Sequence, residues 1–135
     1  MAQIVLTDAS ITINSVDLSS RTNQVTINYE KEAVESTAFG DSGRKYVAGL
    51  QNVTVDVELQ QDFAASNVEA TVFPLVGTST TIVVKPTSSA VSSTNPSYTI
   101  ASTYLAAHTP VNGAVGELAT TSLSFQGGTV VKATS

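Results

Sequence analysis

Val53-Thr54-Val55-Asp56-Val57-Glu58-Leu59-Gln60 alternates apolar and polar side chains at every step. Successive side chains of an extended chain point to opposite faces. Val53, Val55, Val57 and Leu59 therefore form one apolar row, and Thr54, Asp56, Glu58 and Gln60 form a polar one. A helix would scatter both rows around its axis. The stretch predicts a strand over Val53–Phe63, one face on a core and the other on a polar surface.

Upstream, Val25–Thr37 carries the same pattern. Val25, Ile27 and Tyr29 share one face; Thr26, Asn28, Glu30 and Glu32 share the other. The frame blurs through Ala33, Val34 and Glu35, as at a bulge or bend. Shorter strands are predicted at Gln3–Leu6, and at Ile11–Ile13 and Val16–Leu18 flanking Asn14-Ser15. Downstream come Thr80–Lys85, stopped by Pro86, and a pair, Ser97–Leu105 and Glu117–Gln126, around the turn-rich His108–Gly116. Gly127-Gly128 precede a last strand at Thr129–Lys132.

Between the strands, Ala38–Gln51 holds Gly40, Gly43 and Gly49 and is expected to be one long loop. Ser66 or Asn67 suits a helix N-cap, with Glu69 in capping-box spacing from Ser66. A single helix is predicted over about residues 66–76, anchored on the core by Val72, Phe73 and Leu75. Pro74 and Gly77 end it. The fold class is mainly β, a sandwich or partly closed barrel flanked by one α-helix, in a single domain spanning residues 1–135.

Only 13% of the residues are charged, against about a quarter in ordinary soluble domains. Val, Thr, Ser and Ile take their place. A surface of Ser, Thr, Asn and Gln is easily desolvated when a neighbour docks, because no ion has to leave water. The net charge of -5 opposes binding to phosphate backbones. There is no cysteine, which excludes disulfides and thiolate metal sites. The amino terminus lacks a basic segment followed by an apolar one, so no secretory signal is expected. No apolar run reaches membrane-spanning length.

Motifs for catalysis are sparse. Gly40-Asp41-Ser42-Gly43 copies the nucleophile loop of chymotrypsin-like proteases, which needs a histidine base held by a carboxylate. The one histidine, His108, lies downstream, the reverse of that family's order, so an ordinary loop is the expected reading. His108 alone makes no metal site. Asn52-Val53-Thr54 is a glycosylation sequon at the start of a predicted strand and carries no weight. No catalytic, cofactor or metal residue is assigned. Glu30, Glu32, Asp56 and Glu58, by contrast, all fall on polar strand faces. Paired in one sheet, those strands present a surface of a single sign, either a solvated exterior or a channel wall that repels DNA.

Several segments, in order, resemble the major tail tube proteins of long, non-contractile-tailed bacteriophages, particularly those of actinobacteria. They are Glu35-Ser-Thr-Ala-Phe-Gly-Asp-Ser-Gly-Arg44 running into Gly49-Leu50, then Val53-Thr-Val-Asp-Val-Glu-Leu-Gln-Gln-Asp-Phe63. Val72-Phe-Pro-Leu-Val-Gly77, Val84-Lys-Pro86, Ser93-Thr-Asn-Pro-Ser-Tyr98 and Pro110-Val-Asn-Gly-Ala-Val-Gly-Glu-Leu118 follow. The resemblance implies the phage tail-tube fold, no enzymatic activity and no cofactor. It implies hexameric rings joined edge to edge and stacked into a tube that conducts the genome. The implied partners are identical copies, a tape measure protein in the lumen, and tail terminator and distal tail proteins at the ends, with DNA only in transit and no membrane. The implied location is the virion tail, after synthesis in the host cytoplasm.

On this resemblance, Phe39, Gly40, Asp41, Ser42, Gly43, Arg44, Lys45 and Tyr46 belong to a loop that reaches the next ring and orders on stacking. Glu30, Glu32, Asp56 and Glu58 become the lumen candidates by strand parity. The alternatives are a capsid decoration protein or tail terminator on a similar sandwich, and a carbohydrate-binding sandwich. The last would need exposed aromatics, and the chain has no tryptophan and 6% aromatic residues.

Overall fold

A computed structural model describes residues 5, 7–65 and 67–134. The predicted strand at Gln3–Leu6 lies, but for Val5, outside the described residues, as does Ser66. Strand β1 (Ser10–Ile13) turns through Asn14 and Ser15 into β2 (Val16–Asp17). Both turn residues have positive φ, 50° and 67°, the requirement of a two-residue hairpin whose twist matches its strands. Then follow β3 (Thr22–Glu35), β4 (Tyr46–Gln60), a helix α1 (Val68–Val72), and β5 (Ser79–Lys85). β6 (Ser97–His108), β7 (Thr120–Gln126) and β8 (Thr129–Ala133) complete the chain.

All pairings between these strands are antiparallel, in the order β2-β1-β5-β6-β7-β4-β3, with β8 also on β6. Among the described residues the sheet does not close: β3 pairs only with β4, and β2 only with β1. β7 and β8 lie end to end along one edge of β6, against Tyr104–His108 and Ser97–Ala101 respectively. The step between them is made by Gly127 and Gly128, at φ 77° and 89°. A side chain on Gly128 would run into the carbonyl oxygen of Ala101.

The alternation of Val53–Gln60 is realised as predicted. Val53, Val55 and Leu59 are fully buried and Val57 nearly so. They meet Ile11 and Ile13 of β1, Ile82 of β5, Ile100 and Leu105 of β6, and Leu123 and Phe125 of β7 in one core. Each such side chain contributes about 1.5–3 kcal/mol when taken from water.

Two predicted boundaries change. Tyr46–Gln51, assigned to the loop for its glycine, is the first part of β4. The loop proper is residues 36–45. Gly49 does not break the strand because it sits in a bulge: the β3–β4 register slips between Lys31 and Ala33, so that Gly49 and Leu50 together face Glu32. A Cβ on Gly49 would lie 3.0 Å from Val34 Cγ2 and 3.1 Å from Glu32 Cβ. This is the bend signalled by the blurred frame at Ala33–Glu35. In the second change, Glu117, Leu118 and Ala119 belong to the loop before β7, which begins at Thr120.

The helix is shorter than predicted. α1 ends at Val72 and continues as a 3-10 turn over Phe73–Leu75, with Asn67 as N-cap. Val68 and Val72, one helical turn apart, are fully buried, and Leu75 packs on the core. Phe73 is not a core anchor: it is 57% exposed. One residue beyond Val72 it points roughly 100° away from the buried stripe, and the tighter 3-10 turn at Pro74 does not bring it back.

Gly128→Ala is expected to lower stability by more than about 1 kcal/mol in urea denaturation, since both φ and the neighbouring backbone oppose a side chain. Gly43→Ala, which meets nothing within 4 Å, should stay within about 0.5 kcal/mol of the parent.

Candidate functional site: a one-signed polar sheet face and an apolar arm

Strands β6, β7, β4 and β3 present their non-core face as continuous rows. Thr26, Asp56 and Ser124 stand side by side; so do Gln24, Glu58 and Ser122. A third row runs Asn28, Thr54, Gln126 and Tyr104. Glu30 lies opposite Asn52, and Glu32 shares its strand parity. All four predicted carboxylates therefore fall on one face, as parity required. Asp56, Glu30 and Glu32 are exposed and Glu58 is half-buried. No Lys or Arg occurs in these rows. The one internal tie among the carboxylates is Asn28 Nδ2, which donates to Glu30 Oε1 at 2.8 Å.

Beyond Tyr29 and Val53 the β3–β4 hairpin leaves the core behind. Glu30–Glu35 is exposed throughout. Six residues at about 3.4 Å each give an arm of roughly 20 Å before the turn. The turn is bonded to itself. Ser36 N donates to Lys45 O at 2.8 Å, and Lys45 N to Thr37 Oγ1 at 2.9 Å. Asp41 Oδ2 accepts from Ala38 N, and Asp41 Oδ1 pairs with Lys45 Nζ at 2.9 Å. The Lys45 ammonium, and then the Ala38 amide, hold the Asp41 carboxyl below its ordinary pKa. Arg44 reaches Glu35 at 3.5 Å. With the charges paired along the turn, apolar side chains are left outward: Phe39 fully exposed, Leu50 at 81%, and Tyr46, Val47 and Val34 about half.

A second apolar loop was not foreseen. Residues 109–119 expose Val111, Val115 and Leu118. Because Gln60 pairs with Thr120, this loop lies at the end of β4 opposite the arm. Its signal in the sequence was three apolar residues among Pro110, Gly113 and Gly116, where a turn would ordinarily be polar.

The protease-like tetrapeptide is not assembled into a site. Ser42 sits in the exposed turn of the arm, whereas His108 ends β6, and neither His108 ring nitrogen has a hydrogen-bond partner. Asp41 is committed to Ala38 and Lys45. Among the described residues no group of three or more His, Asp or Glu is placed to hold a metal ion.

No protein-family model matches the chain, and no curated protein sequence does. Solved structures with the same architecture do exist. The sheath-tube complex of an extracellular contractile injection system superposes with a TM-score of 0.72 at 9% identity, covering 98% of this chain and 93% of the other. The chain has a tail-tube-type fold. A native gene transfer agent particle contains a chain similar at TM-score 0.67 and 12% identity, over 96% of this chain and 98% of that one. Hcp1 from Flavobacterium johnsoniae gives 0.51 at 12% identity, with 91% and 97% covered. At such identities the likeness is one of fold, shared along nearly the whole length of each chain.

Burial lowers the His108 pKa, only partly opposed by the charge of Glu69. The unfolded imidazole therefore takes up its proton at a higher pH than the folded one. Stability is expected to fall as pH drops below about 6.5, whereas Asp17, Asp41 and Asp62, all lowered, lose their contributions only at more acid pH. His108→Leu should flatten the urea midpoint between pH 7 and 5.5. An unchanged slope would contradict the assignment.

Proposed function

We propose that this chain is a structural subunit of a bacteriophage tail tube, with no catalytic activity. The observation that carries the reading is the end-to-end sharing of a tube-protein fold. The sequence resemblance favours a long, non-contractile tail over a contractile one. Subunits associate edge to edge into hexameric rings, and the rings stack into a hollow tube through which the genome passes.

The geometry suits each step. Among the described residues, the outer edge of β3, fourteen residues long, has no strand partner. Such an edge pairs with other strands unless something covers it. A ring supplies that partner in every copy and ends with none exposed. The four-stranded polar face then lines the lumen, where Glu30, Glu32, Asp56 and Glu58 repel the phosphates of moving DNA rather than hold them. The apolar arm at one end of the sheet and the apolar loop at the other are suited to a head-to-tail contact that repeats without closing. Tape measure protein in the lumen, and terminator and distal tail proteins at the ends, complete the assembly. A tube-terminator role is the second reading, because the sheath/tube terminator of a contractile injection system contains the same fold at TM-score 0.71.

Electron microscopy of the concentrated protein is expected to reveal tubes of open-ended length. Isolated rings that never elongate would favour the terminator. Phe39→Ser should leave the rings and abolish their stacking. Because the chain has no cysteine, Asp56→Cys gives a single thiol. It should react with a bulky maleimide polymer in the free subunit and be protected at least about tenfold in tubes. Equal reactivity in both would place that face outside.

A further inference from the structure

One asparagine in the chain precedes a glycine: Asn112-Gly113, in the loop of residues 109–119. Asn112 is exposed, and among the described residues its carboxamide enters no hydrogen bond within the protein. The side-chain bonds that tie this loop are those of Gln61 to Pro110 O and of Thr109 Oγ1, which accepts from Ser122 N. The backbone carbonyl of Asn112 accepts from Thr120 N at 3.3 Å. In a trans peptide the N–H points opposite to the C=O, so the Gly113 amide is turned away from β7. Among the described residues it too has no partner. Gly113 sits at φ 155°, a conformation that disfavours any side chain. The glycine that this turn demands leaves its own amide nitrogen unshielded, because no Cβ stands beside it.

We propose that Asn112-Gly113 is a site of self-modification, at which the asparagine of the free subunit converts to aspartate and isoaspartate. Once hydroxide removes its proton, Gly113 N attacks Asn112 Cγ. The N–Cγ bond forms, the Cγ–Nδ2 bond breaks, and Nδ2 leaves as ammonia, taking a proton from water. A second water then opens the five-membered imide. Cleavage at Cγ gives aspartate; cleavage at the backbone carbonyl gives isoaspartate, with the main chain rerouted through the side chain. Other asparagines lack this combination. Asn95 is buried and bonded to Thr87 and Ser89, and Pro96 after it has no N–H. Asn28 and Asn52 lie within strands, before Tyr29 and Val53. Asn14, exposed before Ser15, is the nearest rival. Either product adds a negative charge beside the exposed Val111 and Val115. What this does to assembly rests on the tube reading above: the loop meets the next ring there, and an unpartnered carboxylate buried in that contact opposes docking. A subunit that waits too long unassembled loses its capacity to stack, whereas an assembled one has the site covered.

The test holds the full chain, dilute, in mildly alkaline buffer. Peptide mass spectrometry follows each asparagine, and an isoaspartate-specific methyltransferase labels the product. Asn112 is expected to convert at least about tenfold faster than Asn14, since only glycine lacks a Cβ next to the attacking nitrogen. Asn112→Gln, whose longer side chain would have to close a six-membered ring, should abolish the label without moving the urea midpoint. Equal rates at Asn112 and Asn14, or a label that persists in Asn112→Gln, would overturn the proposal. Aged parent protein should form fewer tubes than fresh protein, and aged Asn112→Gln as many as fresh. Converted protein that stacks as well as fresh would overturn the link to assembly. Tubes from no sample would count against the tube reading, with the modification still decided by the mass readout.

Discussion

One strand divides the chemistry of this molecule. β4 has its apolar row under the core and its polar row on the opposite face, and it is hydrogen-bonded to a neighbour along both edges. The side-chain period of two makes this division rigid: a slip of one residue against β3 or β7 would put Asp56 and Glu58 into the core and Val55 and Val57 into water. Burying even one such carboxylate without a partner costs more than any single apolar contact returns. The core therefore fixes the register, and the register places every carboxylate of the polar face. Packing and surface charge are consequences of the same alternation.

The arm is the natural extension of that constraint. Where the apolar row ends at Val53, the hairpin continues without a core beneath it, kept in register by ladder hydrogen bonds and by the bulge at Gly49–Leu50. Hydrogen bonds of this kind contribute only about 0.5–1.5 kcal/mol each in water. A long exposed hairpin with apolar side chains turned outward is therefore a poor investment for a solitary chain and a reasonable one for a subunit. The scarcity of charge elsewhere agrees. Docking a Ser/Thr/Asn/Gln surface removes few ions from water, so modest contacts per copy suffice when many copies repeat them.

Much of this was legible in the sequence because parity is a local property. Val53–Gln60 and Val25–Glu32 announced both the core and the polar face, and the four carboxylates fell on the face predicted for them. What escaped was set by tertiary context. Gly49 looked like a loop residue, but in the fold it supplies the close approach to Val34 and Glu32 that a bulge needs. Phe73 looked like a helix anchor, but α1 stops one residue earlier and the 3-10 turn leaves it outside. Glu117–Ala119 looked like the start of a strand, but Gln61 binds the loop instead, donating from Nε2 to Pro110 O at 2.6 Å and from its backbone amide to Ala119 O at 3.0 Å. Bonds between residues some fifty positions apart leave no trace in a window of ten.

The central claim is that the outer edge of β3, unpaired among the described residues, is completed by an identical chain. Amide hydrogen exchange, compared between dilute subunits and the assembled state, tests it most directly. The account predicts that amides on the outer edge of β3, from Thr22 to Tyr29, slow by tenfold or more on assembly, while the already protected amides of Val53–Leu59 change little. Outer-edge amides that exchange at the same rate in both states would contradict it.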